Sequence, residues 1–331
     1  MSSKPKVYLT QGIPSNALRM LQEKCDVTMY DEQKAGAMTI SREEFLRSIK
    51  GVDAIYLPFP VKIDVEVLDT TGPQLKVIGT QSVGLEHLDL KECARRNIKV
   101  GYTPNVLTDA VAEAAIALTL ATARRYKEGM QSVVKGEWGS TWDNSLYLAG
   151  KEIRGSTIGI VGLGRIGSGV AKRLRAFDIA RLLYCGRTKR DNDTELGAEY
   201  VAFDTVLKES DFVIACCSLN NSNQRLFNAE AFGKMKSSAI FINVSRGTLV
   251  DQEDLYDALT NGEIYAAGLD VTTPEPLPTD HPLLSLPNCT IVPHLGSATA
   301  VARNAMADLT ARNIIAGLNN EPLVTPVPAI N

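Results

Sequence analysis

Short apolar runs rich in β-branched residues alternate with amphipathic stretches through residues 1–104, at a spacing of about 25 residues. The strand-like runs are KVYLT, DVTMY, DAIYLP, LKVIGT and IKVGYT. One helical stretch between them begins with a capping box, in which Ser41 and Glu44 precede the segment FLRSI. This alternation predicts parallel strands joined by crossover helices, which is a doubly wound α/β unit.

A second alternation begins at Ser156 and continues to His294. Its strand-like runs are STIGIV, RLLYCG, DFVIACC, AIFINVS, AAGLDV and TIVPH. The segment after Thr299, AVARNAMADLTARNIIAGL, predicts a long helix that returns to the first unit. The pattern therefore predicts two domains, one formed by residues 1–104 and 299–331 and the other by the inserted residues 105–298.

Residues 105–127, NVLTDAVAEAAIALTLATARRYK, predict one long helix between the two alternations. Its apolar residues cover most of the circumference, so the helix must be buried on several sides. This pattern predicts packing between domains or against another subunit, and composition alone leaves a core helix inside its own domain equally open.

A glycine-rich turn follows the strand-like run STIGIV and precedes the helical stretch SGVAKRLRAF. Gly162 allows a tight turn, Gly164 lets a pyrophosphate approach the backbone, and Gly167 lets the helix pack close to its strand. The new helix then presents free N–H groups to an anion. We therefore expect a dinucleotide to bind the whole turn, which consists of Gly162, Leu163, Gly164, Arg165, Ile166 and Gly167.

The next strand-like run, RLLYC, predicts which dinucleotide binds. An NAD site usually has an acidic residue at the end of this strand, where it binds the ribose hydroxyls. Here Gly186 leaves room for a 2′-phosphate, and the cationic segment Arg187, Thr188, Lys189 and Arg190 attracts it. We therefore expect NADPH as the cofactor.

Composition excludes several classes of partner. The net charge of −3 on 331 residues offers no basic excess for nucleic acid, and no apolar run has the length of a membrane span. The six cysteines form no C-x-x-C pair, and the three histidines are scattered. We expect reduced, mostly buried thiols, no metal site and, without an apolar signal region in MSSKPKVYLT, a cytoplasmic protein.

Three ionisable residues follow strand-like runs of the second alternation: Arg246, Glu275 and His294. Ligands of open α/β sheets bind at the carboxyl ends of the strands, so these side chains are expected to converge there. Arg246 offers a planar fork for a carboxylate, and His294 is suited to transfer a proton near neutral pH. Glu275 would orient the imidazole. Together they predict reduction of a 2-keto acid.

The segments NVSRGTLVD, GLDVTTPEP and PHLGSAT, which contain these three residues, resemble the D-isomer-specific 2-hydroxyacid dehydrogenases. The resemblance extends over nearly the whole chain. Within that family, the runs RNIKVGYTPNVLTD, INVSRGTLVDQEDLY and GLDVTTPEPLPTDHPLL are most similar to the animal reductases of glyoxylate and hydroxypyruvate. This resemblance implies a flavodoxin-like substrate domain and an inserted Rossmann nucleotide-binding domain. It also implies conversion of glyoxylate to glycolate and of hydroxypyruvate to D-glycerate.

The resemblance also implies further roles for individual residues. The backbone amides of Val83 and Gly84 would bind the substrate carboxylate, Ser297 would offer a hydroxyl to the substrate, and Asp270 would lie near the nicotinamide amide. A homodimer would form largely on the helix 105–127. The remaining residues expected at the cofactor are Ser218, Val244 and Gly296.

Other side chains have open or structural interpretations. We expect His87 and His281 to be structural, because no acid and arginine accompany them. Trp138 and Trp142 lie in the loop-like stretch KGEWGSTWDNSLY. We expect both side chains to reach an active site, their own or that of a neighbouring subunit, and to narrow it to small substrates, although packing in a dimer fits equally well.

A nucleotide-sensing scaffold is the alternative to an enzyme. The C-terminal-binding-protein corepressors resemble this chain in fold and in their Arg-Glu-His set, so these residues do not separate the two functions. The absence of long disordered tails favours the enzyme.

Overall fold

The computed structural model describes residues 4–31, 40–139 and 143–328, and the chain divides into two compact units. The first contains residues up to Leu107 together with those from Thr299, and the second is Thr108–Ala298. Among the described residues, no helix combines the length and apolar character needed to cross a bilayer.

The first unit contains a parallel sheet in the order β2-β1-β3-β4-β5. Its strands are β1 (Lys6–Leu9), β2 (Asp26–Met29), β3 (Ala54–Leu57), β4 (Val77–Thr80) and β5 (Lys99–Gly101). This is the strand order of flavodoxin-like domains, so the expected fold of this unit is confirmed.

The helices of the first unit are α1 (Ser15–Lys24), α2 (Arg42–Ser48), α3 (Val65–Thr71), α4 (Leu90–Arg95) and the C-terminal α13 (Ala300–Leu318). The predicted start of α2 is confirmed, because the Ser41 hydroxyl accepts the Glu44 N–H at 3.2 Å. Helix α13 packs against α1, β3 and β4, and the buried Tyr56 hydroxyl donates to the Ala307 carbonyl at 3.1 Å.

The second unit contains a parallel sheet in the order β12-β11-β10-β9-β6-β7-β8. Its strands are β6 (Thr157–Val161), β7 (Arg181–Cys185), β8 (Ala198–Tyr200), β9 (Phe212–Ala215), β10 (Ile240–Asn243), β11 (Ala266–Leu269) and β12 (Cys289–Ile291). Read outward from β6, this is the doubly wound Rossmann order with one further strand, as expected. The pattern of residues missed β8, which is short, partly polar and exposed at two of its three residues.

The helices of the second unit are α5 (Thr108–Ala123), α6 (Tyr126–Val134), α7 (Arg165–Leu174), α8 (Asp193–Leu196), α9 (Phe203–Glu209), α10 (Ala229–Gly233), α11 (Gln252–Thr260) and α12 (Pro282–Ser285). Single 3₁₀ turns lie at Arg175–Phe177 and Gly247–Leu249. Part of the core is an aromatic cluster, in which the Phe227 and Phe232 rings lie 4.6 and 5.5 Å from that of Phe241.

The expectation of one helix over residues 105–127 was wrong. The helix begins at Thr108 and ends at Ala123, because Arg125 adopts a left-handed conformation with φ of 56°. Arg125 Nε donates to the Glu128 carboxylate at 2.9 Å, which holds this bend before α6 begins. Half of the residues of α5 are buried, and the helix packs against α7, β10 and β11 of its own unit. A Cβ on Gly169 of α7 would lie 3.1 Å from the Ala112 methyl group, so the two helices are closely packed.

The expectation that the thiols are mostly buried is confirmed. All six are free; four are buried and two are partly buried. Burial raises the pKa of Cys185 and of Cys289 to about 12, so both thiols stay protonated at neutral pH.

Candidate active site

The strands of the second sheet end in register. Val161 pairs with Cys185 and with Ala215, and Asn243 pairs with Ala215 and with Leu269. The residues that follow these ends therefore share one edge of the sheet. They include the glycine-rich turn and the loops that carry Arg246, Glu275 and His294.

The glycine-rich turn after β6 has no space for side chains at two of its three glycines. Gly162 has φ of 100°, and a Cβ there would lie 2.5 Å from Cys217 Cα. A Cβ on Gly167 would lie 2.2 Å from the Gly162 carbonyl oxygen. Gly164, which caps α7, differs, since no protein atom lies within 4 Å of the Cβ it lacks. The space in front of the helix N-terminus is open, and this backbone fits a bound phosphate.

The turn after β7 is cationic and exposed. Gly186, Arg187, Thr188 and Lys189 are all exposed, and within the described part of the chain Arg187 makes no hydrogen bond or ion pair. The turn is anchored to β7, because the buried Tyr184 hydroxyl accepts the Arg190 N–H at 2.9 Å. The five residues that directly follow β7, Gly186 to Arg190, include no acidic residue.

The other residues expected at the cofactor lie along the same edge. Leu163 is buried, Ile166 is partly buried and Arg165 is exposed. Ser218 is exposed beyond β9, and Val244 is buried directly after β10.

Glu275 and His294 are in contact. His294 Nδ1 lies 2.9 Å from Glu275 Oε2, and Glu275 Oε1 accepts the Thr272 N–H at 3.0 Å. A carboxylate can only accept, so the contact places the neutral imidazole's proton on Nδ1 and leaves Nε2 to face a substrate. Both side chains remain close to half exposed.

The pKa of Glu275 results from opposing effects. Burial would raise the pKa of this carboxyl, but the hydrogen bond and charge of His294 outweigh it, with help from the Thr272 N–H and the charge of Arg246. The net pKa lies below the usual value, so the carboxylate is ionised and available to the imidazole at neutral pH.

Asp270 holds the backbone around His294. Its carboxylate accepts the Leu295 N–H at 2.6 Å and the Gly296 N–H at 3.0 Å, and the Asp270 carbonyl accepts the His294 N–H at 2.9 Å. Burial raises the pKa of Asp270 against the lowering effect of these contacts. A Cβ on Gly296 would lie 2.9 Å from the Asp270 carboxylate. His294 adopts φ of 51°, a strained conformation that this network stabilises.

Arg246 lies on the adjacent loop after β10. The Asn243 side chain donates to the Arg246 carbonyl at 2.8 Å and accepts the Ser245 N–H at 3.0 Å. A Cβ on Gly247 would lie 1.9 Å from the Thr272 carbonyl oxygen, so this loop touches the Glu275 loop directly. Sequence reasoning missed Asn243, although an amide at a strand end is a common loop anchor.

The residues expected at the substrate come from both units, and one lies outside the described part of the chain. Val83 and Gly84 follow β4 in the first unit, where the Ser82 carbonyl accepts the Thr103 N–H at 3.1 Å. Ser297 is partly buried three residues after His294. Trp142 lies outside the described residues, whereas Trp138 is exposed.

The two histidines expected to be structural have local partners. His87 Nε2 lies 3.1 Å from the Thr80 hydroxyl, and His281 accepts the Leu283 N–H at the start of α12. Within the ranges that the structure describes, no group of three or more His, Cys, Asp or Glu side chains could hold a metal ion.

The fold and the aligned loops define a two-domain α/β protein with a Rossmann-type unit. A family model described as "D-isomer specific 2-hydroxyacid dehydrogenase, NAD binding domain" matches residues 116–296. The human glyoxylate reductase/hydroxypyruvate reductase is 46% identical over 321 residues, which are 96% of this chain and 96% of that protein. The chain therefore belongs to the D-isomer specific 2-hydroxyacid dehydrogenase family, as its motifs indicated.

Solved structures agree with this membership. A protein from Thermus thermophilus has a TM-score of 0.88 at 39% identity, over 98% of this chain and 100% of that one. An NADPH-dependent glyoxylate/hydroxypyruvate reductase from Sinorhizobium meliloti, solved with NADP and malonate, has a TM-score of 0.84 at 32% identity, over 99% and 100% of the two chains.

Proposed function

We propose that this protein is an NADPH-dependent reductase of small 2-keto acids. The observation that carries the proposal is the His294–Glu275 contact of 2.9 Å, at the same sheet edge as the open glycine-rich turn. A proton donor thus shares one edge with a backbone that fits a dinucleotide phosphate.

The residues of the second unit divide the work of reduction. Arg246 binds the substrate carboxylate through its planar guanidinium, whose two N–H groups match the two carboxylate oxygens. The protonated His294 imidazole donates its Nε2 proton to the keto oxygen. Glu275 holds the opposite ring nitrogen, Nδ1, so that Nε2 is directed to the substrate.

The cofactor would be held by backbone on one side and by cations on the other. The pyrophosphate would lie over Gly164 at the N-terminus of α7, and Arg187 and Lys189 would bind a 2′-phosphate beside Gly186. When bound, the nicotinamide supplies the hydride for the keto carbon. Asp270, Ser218, Val244 and Gly296 are assigned to the nicotinamide half of the site.

Glyoxylate and hydroxypyruvate are the proposed substrates. Support comes from the names of the human and Sinorhizobium meliloti proteins, which resemble this chain over at least 96% of its length. We assign carboxylate binding by backbone amides to Val83 and Gly84, and a hydroxyl contact to Ser297. Trp142 is assigned to limiting substrate size.

We extend the proposal to a homodimer in the cytoplasm. Support for the homodimer comes from three large apolar side chains on α6, Tyr126, Met130 and Val134, which are 60, 70 and 87% exposed. Neighbouring apolar side chains exposed to this extent suit an interface with a second copy. Light scattering after gel filtration tests it, and a monomer at micromolar concentration would contradict it.

Steady-state oxidation of NADPH and of NADH by the purified protein tests the main proposal, with glyoxylate, hydroxypyruvate and pyruvate as acceptors. Fast turnover of the first two acceptors with NADPH supports it. Faster turnover with NADH would overturn the assignment of the cofactor and leave the reductase. Tight binding of nucleotide without turnover of any acceptor would favour the sensing scaffold.

A further inference from the structure

The side chain of Gln252, at the start of α11, pairs with the backbone of Thr273. Gln252 Nε2 donates to the Thr273 carbonyl at 2.7 Å, and Gln252 Oε1 accepts the Thr273 N–H at 2.7 Å. One amide group thus satisfies both backbone groups of a single residue. The two bonds also fix which end of the amide is oxygen, because the reverse orientation would oppose donor to donor.

Thr273 stands two residues before Glu275, in a loop that is tied to itself. The Thr272 N–H donates to the Glu275 carboxylate, and the Thr272 hydroxyl donates to the Pro274 carbonyl at 2.9 Å. These contacts make residues 272–275 a closed unit, but they do not attach that unit to a regular element. Gln252 does so, because it belongs to helix α11.

A second contact braces Gln252. Its Nε2 lies 3.3 Å from His281 Nε2, at the start of α12. The Nδ1 atom of His281 accepts the Leu283 N–H, and a neutral imidazole has only one acceptor nitrogen, so this approach is a contact rather than a hydrogen bond. His281, which the sequence predicted to be structural, therefore contacts the side chain that holds the Glu275 loop.

We propose that Gln252 is a positioning residue, which holds residues 272–275 so that the Glu275 carboxylate meets His294 Nδ1 and fixes the imidazole tautomer. This inference rests on the proposed function, in which His294 donates the proton. Gln252 acts only through the loop that carries Glu275.

The surroundings of Gln252 allow the proposal to be tested without unfolding the protein. Gln252 and Thr273 line a cavity of about 430 Å³ together with Thr248 and His281, and Thr273 is exposed. Water can hydrate the Thr273 backbone when the side chain is replaced, so no buried polar group loses its partner.

The first measurement is ¹⁵N NMR of the imidazole nitrogens in the protein without ligands. The chain has three histidines, so each signal can be assigned by single substitution. We expect His294 to carry its neutral proton on Nδ1 in the parent, and both Gln252→Leu and Glu275→Gln to give a mixture of tautomers. Leucine keeps nearly the same volume and removes both hydrogen bonds. Glu253→Gln, on the exposed side of α11, is the matched control and should match the parent.

The second measurement is turnover of glyoxylate with NADPH. For Gln252→Leu we expect kcat to fall roughly ten- to a hundredfold, corresponding to the loss of two hydrogen bonds, while the Kd for NADPH stays unchanged. An unchanged His294 tautomer in a folded Gln252→Leu protein would overturn the positioning role. A lower melting temperature with an unchanged tautomer and kcat would mean a purely structural role. By contrast, full activity of His294→Asn would refute the proposed function, while the tautomer experiment would still decide the role of Gln252.

Discussion

Two parts of one sheet edge are built in different ways. The glycine-rich turn after β6 is shaped by missing side chains, since Gly162 and Gly167 lie against neighbouring backbone and Gly164 faces open space. The loops after β10 and β11 are shaped by added side chains, since Asn243, Gln252 and Asp270 all bond to backbone groups nearby. In the proposed function the first region binds a phosphate, and the second supports proton transfer.

The difference determines how each part responds to mutation. Steric repulsion rises over tenths of an ångström. The effect of an added methyl group on stability or binding is therefore either small or severe. In a network of hydrogen bonds several contacts hold each group in place. Loss of one partner therefore displaces a catalytic group and lowers activity without abolishing it. The following experiments test this contrast.

Replacement of the proton donor should have the largest effect. His294→Asn removes the only group proposed to protonate the keto oxygen, and kcat for glyoxylate should fall roughly 10²–10⁴-fold. Binding of NADPH, followed by its fluorescence, serves as the control and should be retained. A loss of less than tenfold would place the proton donor elsewhere.

Adding one methyl group in the glycine-rich turn should have opposite consequences at two positions. Gly164→Ala should keep the parent melting temperature and weaken NADPH binding at least about tenfold, because its Cβ meets no protein atom but fills the phosphate space. Gly167→Ala should destabilise the protein by about 1–3 kcal/mol, because its Cβ would lie against the Gly162 carbonyl. Calorimetry and fluorescence titration measure the two effects. Parent-like NADPH binding by Gly164→Ala would refute the phosphate site.

Reversing the charge of the turn after β7 should change the preference between cofactors. The double variant Gly186→Asp, Arg187→Ser should weaken NADPH binding roughly ten- to a hundredfold by loss of a charge-assisted hydrogen bond and addition of a repelling carboxylate. NADH should be affected far less. Arg154→Ser removes an exposed cation in the turn before β6 and serves as the control. Equal losses for both nucleotides would contradict the assignment of NADPH.

The smallest expected effect is on the pH dependence of the free energy of unfolding. Because the pKa of Glu275 is lowered in the folded protein, its carboxylate stabilises the fold above the unfolded pKa of about 4.3, and this contribution is lost as pH falls through the lower folded value. The free energies of unfolding of the parent and Glu275→Gln should therefore converge as the pH falls below the folded pKa of this carboxyl. Urea titrations at pH 7, 5 and 3.5 measure the difference. A gap that widens with acid would mean that burial, rather than His294, controls this carboxyl.

The sequence predicted the alternation of strands and helices well, because buried parallel strands are short continuous apolar runs. It missed β8, whose two exposed residues interrupt that pattern, and it fused α5 and α6, because the left-handed bend at Arg125 leaves no sign in the apolar spacing. The pairing of Gln252 with Thr273 was likewise invisible, since it joins segments 21 residues apart that no local rule connects.

What the sequence by itself determined is the set of parts: the glycine-rich turn, the cationic segment after Gly186, and the three residues Arg246, Glu275 and His294. Each follows from local chemistry, in which residue type and spacing along one strand and turn are sufficient. The tertiary structure alone decided that Asp270 holds the His294 backbone and that Gln252 holds the Glu275 loop. These contacts depend on strands ending in register across the sheet, and that register arises only when the whole unit packs.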